Sequence, residues 1–151
     1  MKIAIGSDHV AYRFKLEIED YLKAQGIEFT DFGTDNEERT SYPIYATKAC
    51  RAVLSGEYDY GLLFCGTGIG MSLTANKIRG IRAVVCSEPY SAVLSRQHNN
   101  TNVLCLGARV VGIELAKMII DQWLAATFEG GRHQERLDMI AALEHVANGT
   151  E

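Results

Sequence analysis

Segments with strand character and segments with helix character alternate along the whole of this 151-residue chain, and that alternation leaves few folds open. The spacing predicts strands over 2–6, 27–32, 58–65, 82–86 and 103–107. After the first strand, Val10, Phe14, Ile18, Tyr21 and Leu22 recur at helical spacing, and Ile113, Ala116, Ile119, Ile120, Trp123 and Leu124 do so after the last. Further helices are predicted over 42–55, 71–78 and 88–98. Strands separated by helices need right-handed crossovers, which build a parallel sheet covered on both faces. The expected fold is therefore α/β, a three-layer, doubly wound, Rossmann-like arrangement around a five-stranded parallel sheet. Ligands bind such sheets beyond the carboxyl ends of the strands. After Gly130-Gly131 a last helical pattern covers 132–147, with Leu137, Ile140 and Leu143 as its apolar positions. It reads as a C-terminal helical arm over about 130–151, of the kind that docks on a partner subunit.

Hydrophobic residues make up 47% of the chain, enough for one buried core, and the length is short for two, so a single domain over 1–151 is expected. The net charge is −4 and the 15 Lys and Arg are scattered, which points away from nucleic acid and anionic membranes and towards a small ligand. No apolar stretch reaches the roughly 18 residues of a membrane span, and strand character begins at once, so a cytoplasmic protein is expected. Cys50, Cys65, Cys86 and Cys105 form no C-x-x-C pair and have no histidines at finger-like spacing. Neither a zinc site nor a disulfide framework is indicated; reduced thiols are expected, with Cys86 and Cys105 packing as small hydrophobes in strands.

Cys65 ends the apolar run Tyr60-Gly-Leu-Leu-Phe-Cys65 and opens into Gly66-Thr67-Gly68-Ile69-Gly70, with a helical pattern following. Where a buried strand stops and a helix starts, unpaired N–H groups converge and favour both a thiolate and a developing oxyanion. The glycines let the backbone approach a ligand closely. Spacing narrows the choices. A dinucleotide fingerprint would need its third glycine at position 71, which is Met71, and a P-loop would need a lysine at the loop's end, whereas none occurs before Lys77. A thiol phosphatase would place an arginine soon after its cysteine, but the first one downstream is Arg79. What remains is a thiol beside a hydroxyl and a nest of amides, suited to proton abstraction next to a carbonyl, or else a tight turn with an incidental cysteine.

Other polar clusters carry two readings each. Asp8-His9 follows the first strand, where Asp8 either caps the next helix or faces a ligand. His98, ahead of Asn99-Asn100-Thr101-Asn102, is either a favourable charge at a helix C-terminus or a site residue. Arg132 and Arg136 stand one helical turn apart as two forks suited to a phosphate, or simply solvate a helix start. Arg109 and the Asn76-Lys77 pair are as readily surface groups as ligand contacts.

Taken in order, Ile5-Gly-Ser-Asp-His9, Asp31-Phe-Gly-Thr34, Tyr42-Pro43, Cys65-Gly-Thr-Gly-Ile-Gly70, Ala75-Asn-Lys77, Gly80-Ile-Arg-Ala83, Ser95-Arg-Gln-His-Asn99, Leu106-Gly-Ala-Arg-Val-Val-Gly112 and Gly130-Gly-Arg-His133 with Arg136 resemble the ribose-5-phosphate isomerase B family. That family includes galactose-6-phosphate isomerase subunits and allose-6-phosphate isomerases, and the resemblance covers nearly the entire chain. It implies a metal-free, cofactor-free aldose–ketose isomerase acting on ribose 5-phosphate or another phosphosugar. Cys65 would move a proton between C2 and C1 through an enediolate, and Thr67 with the amides of Gly66, Gly68 and Gly70 would hold the oxyanion. His98 would open the sugar ring with Asp8 nearby, and Asn99 would orient hydroxyls. His9, Arg109, Arg132 and Arg136 would bind the phosphate. The resemblance further implies a homodimer or homotetramer whose site lies between subunits, with His98, Asn99 and Arg109 reaching the thiol from the neighbouring chain. Val10-Ala11 departs from the glycines of many relatives, without replacing a chemical group.

Overall fold

The computed structural model describes residues 1–146. Along the chain the elements are β1 (Lys2–Ser7), a 3-10 turn at His9–Ala11, α1 (Tyr12–Ala24), β2 (Glu28–Asp31), α2 (Tyr42–Leu54), β3 (Tyr60–Cys65), α3 (Ile69–Ala75), β4 (Ala83–Val85), α4 (Pro89–Asn99), β5 (Val103–Gly107), α5 (Ile113–Ala125) and α6 (Arg132–Val146). The five strands form one parallel sheet in the order β2-β1-β3-β5-β4. The three-layer α/β expectation holds. The C-terminal arm is helical as far as Val146, and positions 147–151 lie outside the described residues.

Alternation along each central strand feeds two separate cores. Ile3, Ile5, Leu62, Phe64, Leu104 and Leu106 point to one face, where Ile18 and Leu22 of α1 and Ile119, Ile120 and Trp123 of α5 cover them. Ala4, Leu63, Cys65, Val103 and Cys105 point to the other, under Cys50 and Val53 of α2 and Met71 and Ala75 of α3. Because both sides are buried, β3 reads as an unbroken apolar run rather than an alternating one. Two polar side chains inside this core find partners, whereas Ser7 Oγ, Glu19 Oε1 and Arg96 Nε are buried without one. The Trp123 indole N–H donates to Thr101 Oγ1 at 2.9 Å, and the fully buried Lys15 ammonium meets Asp31 Oδ2 and the Thr34 carbonyl, both at 2.5 Å. Lys15 thereby ties down the chain leaving β2.

In three elements a side chain diverts the backbone and moves a boundary from the sequence expectation. β2 stops at Asp31 because its Oδ1 turns back to accept from the Gly33 N–H at 2.7 Å. α3 begins earlier than expected, at Ile69, and stops at Ala75, where Asn76 leaves the helix to exchange two hydrogen bonds with Ala83. Edge strand β4 spans only Ala83–Val85, since the Arg82 N–H is taken by Asn102 Oδ1. Cys105 packs inside a strand as expected, whereas Cys86 is buried just beyond β4.

The sheet order reverses between β1 and β3, the point at which sheets of this kind bind ligands beyond the carboxyl ends of their strands. Phe64 of β3 is fully buried in the core on the α1 face, edge-on to Phe14 at 5.3 Å between ring centroids. Phe64→Ala is expected to cost about 3–5 kcal/mol of stability, read from urea unfolding, because the rigid strands on either side cannot collapse into the space left.

Candidate active site

Cys65 is the last residue of β3 and is only 5% exposed. Its Sγ accepts a hydrogen bond from the Gly68 N–H at 3.1 Å, so the loop wraps back over the sulfur. Gly68 stands at φ +78°, and a Cβ there would meet Val85 Cγ2 at 2.9 Å and the Leu106 carbonyl carbon at 3.0 Å. Glycine is what lets the loop take this path. From below, β5 presses on the same loop: a Cβ on Gly107 would lie 2.7 Å from the Thr67 backbone, and the Ala108 and Arg109 N–H groups donate to the Cys65 and Gly66 carbonyls. Thr67 is exposed, and its Oγ1 accepts from the Ile69 N–H at 3.3 Å, leaving its own hydroxyl proton free to point outward.

Asp8 and His9 flank this loop from β1, with the Asp8 N–H donating to the Phe64 carbonyl at 3.2 Å. Asp8 is buried and acts as a cap, its Oδ1 accepting from the Val10 and Ala11 N–H groups. His9 Nδ1 accepts from the Thr40 N–H at 3.2 Å, which assigns the ring hydrogen to Nε2 and makes that edge a donor. Thr40 is a partner that no sequence motif signalled. Arg109 folds over Gly66, its Cδ and Nη1 3.7 and 3.8 Å from where a Cβ would stand. Thus Cys65, Gly66, Thr67, Gly68, Gly70, Asp8, His9 and Arg109 gather at the carboxyl edge of the sheet within one chain. Arg109 needs no neighbouring subunit to be near the loop. Beside Thr67, a hollow of about 270 Å³ is walled by Ile69, Val85 and Val110, three exposed apolar side chains.

His98, Asn99, Arg132 and Arg136 are elsewhere. β5 begins at Val103, level with Gly61, and ends at Gly107, level with Cys65. α4 runs back against the strands for about 16 Å and closes at Asn99, where the Thr101 N–H donates to the Ser95 carbonyl just before β5 starts. His98 therefore lies at the amino edge, a sheet's height from the thiol of its own chain. There it stacks on His133, with ring centroids 4.2 Å apart and planes 8° from parallel. Glu129 Oε2 is 3.8 Å from His98 Nε2 and 3.5 Å from His133 Nε2. Burial, with the charges of His98, Arg132 and Arg136, holds the His133 imidazole below its ordinary range. Arg132 and Arg136 are exposed on the first turns of α6, on either side of His133. A larger cleft, about 700 Å³, opens at this same edge between Asn99, Arg82, Ile81 and the α6 residues Leu137 and Ile140. It holds no thiol.

His98, Glu129 and His133 also offer one donor atom each within 4.8 Å of one another, the spacing of a divalent-ion site. A metal must lie near the plane of each imidazole that binds it, and two stacked rings keep their lone pairs in separate planes. One ion could be shared only after a ring left the stack.

The family model for ribose/galactose isomerases matches residues 3–140. The chain belongs to the ribose/galactose isomerase family. It is 60% identical to ribose-5-phosphate isomerase B of Escherichia coli K12 over 97% of this chain and 99% of that one. It is 46% identical to the D-erythrulose-4-phosphate isomerase of Pectobacterium atrosepticum, over 96% of each chain. Ribose-5-phosphate isomerase B of Clostridium thermocellum superposes with a TM-score of 0.96 at 52% identity, covering 97% of this chain and 99% of that one. The alternating elements thus build the fold of a known isomerase family.

All four cysteines are free. Burial pushes the Cys50 thiol up to about 12 and, with Glu88 nearby, the Cys86 thiol up to about 11, while burial raises Cys105 well above the usual range. Only Cys65 has a backbone N–H aimed at its sulfur from a glycine loop. Brief iodoacetamide treatment near neutral pH, mapped by peptide mass spectrometry, is expected to label Cys65 first. Equal labelling of Cys86 would refute the contrast.

Proposed function

We propose that the protein interconverts D-ribose 5-phosphate and D-ribulose 5-phosphate, with Cys65 as the proton carrier between C2 and C1. The observation that carries this reading is the sulfur at the end of β3, accepting from the Gly68 N–H of the glycine loop that wraps over it and opens α3. Attack on carbon is not required of it. The thiolate takes the proton from C2 of the open-chain aldose and the C1 oxygen becomes negative in the enediolate; the O2 hydroxyl proton then passes to O1 as the thiol returns its proton to C1, leaving the ketone at C2. With the Gly68 N–H turned to the sulfur, the Thr67 hydroxyl and the remaining loop amides are the donors left for the oxyanion, each of a kind worth about 3–4 kcal/mol in other enzymes. No cofactor enters the scheme, because the hydrogen moves as a proton within one substrate.

Ribose 5-phosphate rests as a furanose, so the ring must open first, and His98 is the acid–base group for that step, with Asp8 beside the ring and Asn99 on the hydroxyls. His9 through Nε2, Arg109, Arg132 and Arg136 hold the phosphate. Since His98, Asn99, Arg132 and Arg136 are at the amino edge and Cys65 is at the carboxyl edge, one chain cannot close this set around one sugar. A second copy, related by a two-fold axis, would bring its amino edge to the first copy's carboxyl edge and complete two sites at once. The exposed Ile69, Val85 and Val110 beside Thr67 provide apolar surface for such an interface. A homodimer is the minimal active unit in this reading, and a tetramer would pair two of them.

The relative named for D-erythrulose 4-phosphate favours a second reading, the same chemistry on a phosphosugar of another length. Comparing kcat/KM for ribose 5-phosphate with that for four-carbon and six-carbon sugar phosphates separates the two; the pentose is expected to lead. Cys65→Ala, checked by circular dichroism and sedimentation for intact fold and assembly, is expected to lower kcat by about 10²–10⁴-fold. Near-normal turnover would overturn the assignment of the base. Co-expressing inactive Cys65→Ala and His98→Asn chains is expected to restore about a quarter of the normal sites, because each mixed dimer regains one intact site. No recovery would place both groups in a single subunit.

A further inference from the structure

Glu129 belongs to none of the groups assigned above, and yet the chain spends several specific contacts on placing it. Its N–H donates to the Gln97 carbonyl at 3.0 Å, fixing it against the last turn of α4 one residue from His98. The next two residues, Gly130 and Gly131, both have positive φ, at +66° and +56°, and reverse the chain. The His133 N–H then closes the turn on the Gly130 carbonyl at 3.1 Å and the His133 ring lies flat on His98. The result is a half-exposed carboxylate within ion-pair reach of the Nε2 edge of both rings.

We propose that Glu129 is a positioning residue for ring opening: its carboxylate engages His98 Nε2, which leaves His98 Nδ1 as the edge that works on the sugar. This rests on the assignment of His98 under the proposed function and adds the group through which His98 is set. The step needs a base that then acts as an acid. His98 takes the proton of the anomeric hydroxyl as C1=O forms and the bond from C1 to the ring oxygen breaks. It returns that proton to the ring oxygen and ends as it began. In between, the ring is an imidazolium, and a carboxylate on its far edge stabilises that charge while holding the tautomer that leaves Nδ1 unprotonated at rest. His133 serves as backing. Held neutral at pH 7 by burial and by the cationic groups around it, it fixes the plane of His98 without adding a second positive charge. A glutamine at 129 would keep the shape and lose the charge.

The test is Glu129→Gln, with Glu129→Asp as the conservative variant. Proton–nitrogen correlation spectra of the ¹⁵N-labelled enzyme report the tautomer of each histidine, and His98 is assigned by the signal lost in His98→Asn. The expected result is an Nε2-protonated His98 in the unaltered enzyme that becomes a mixture of tautomers in Glu129→Gln. With it, kcat on ribose 5-phosphate falls about 10–100-fold, the loss typical when a group that orients a working histidine is removed, and KM changes by less than about threefold. Glu129→Asp is expected to recover part of the rate. The circular dichroism spectrum and the sedimentation coefficient should not change, since glutamine keeps the shape of the side chain. An unchanged tautomer in Glu129→Gln, an Nδ1-protonated His98 in the unaltered enzyme, or an altered fold or assembly in Glu129→Gln would each overturn the proposal, the last by showing a general structural role. If the unaltered enzyme turned over no phosphosugar, the proposed function would fail, while the tautomer readout would still decide whether Glu129 sets His98.

Discussion

A parallel sheet buried on both faces gives its side chains no solvent anywhere except at its two edges. In this protein the two apolar cores seal the sheet from above and below, so a polar group within it must be paired or displaced to a strand end. The thiol, the glycine loop, Asp8, His9 and Arg109 sit at one end, and His98, His133, Glu129, Arg132 and Arg136 sit at the other. The proposed chemistry inherits that division. It calls for both sets on one sugar, so assembly of subunits becomes a condition of catalysis rather than an addition to it.

The carboxyl-edge site is held by close approach more than by long-range charge. Gly107 has no room for a Cβ over Thr67, Gly68 has none between Val85 and the β5 backbone, and β5 donates two backbone hydrogen bonds upward into the loop. These contacts fix the sulfur and the surrounding amides before any ligand arrives, which is the preorganisation that stabilising a developing oxyanion demands. On the β1 side, Lys15 anchors the segment after β2, and that segment supplies the Thr40 N–H that fixes the His9 tautomer. A fully buried lysine is in this way connected to the tautomer of His9.

Much of this was legible in the order of residues. Five strands and their intervening helices follow from periodicity, and the strand-to-helix turn at Cys65 follows from an apolar run that breaks into glycines. Among the boundaries that moved, three were set by Asp31, Asn76 and Asn102, whose side chains bond to backbone groups and cut an element short of its apolar pattern. Glu129 went unremarked because its role arises from a chain reversal at two glycines, although the Glu-Gly-Gly-Arg-His run was a visible sign that some tight turn occurs there. Thr40 left no sign at all, since it acts through a backbone N–H that every residue but proline has.

By itself the sequence determined the fold class and the glycine-bound thiol, because both are local matters of period, apolar run and residue type. The tertiary structure decided which candidate residues share an edge. Crossover lengths are compatible with a strand docking on either side of its neighbour, so the insertion of β5 between β3 and β4 cannot be read from spacing. That choice places Gly107 under the loop and Arg109 over it. It also leaves His98 at the far end of an antiparallel helix. The separation of His98 from Cys65 is therefore a consequence of packing, and it makes a second copy of the chain part of the proposed mechanism.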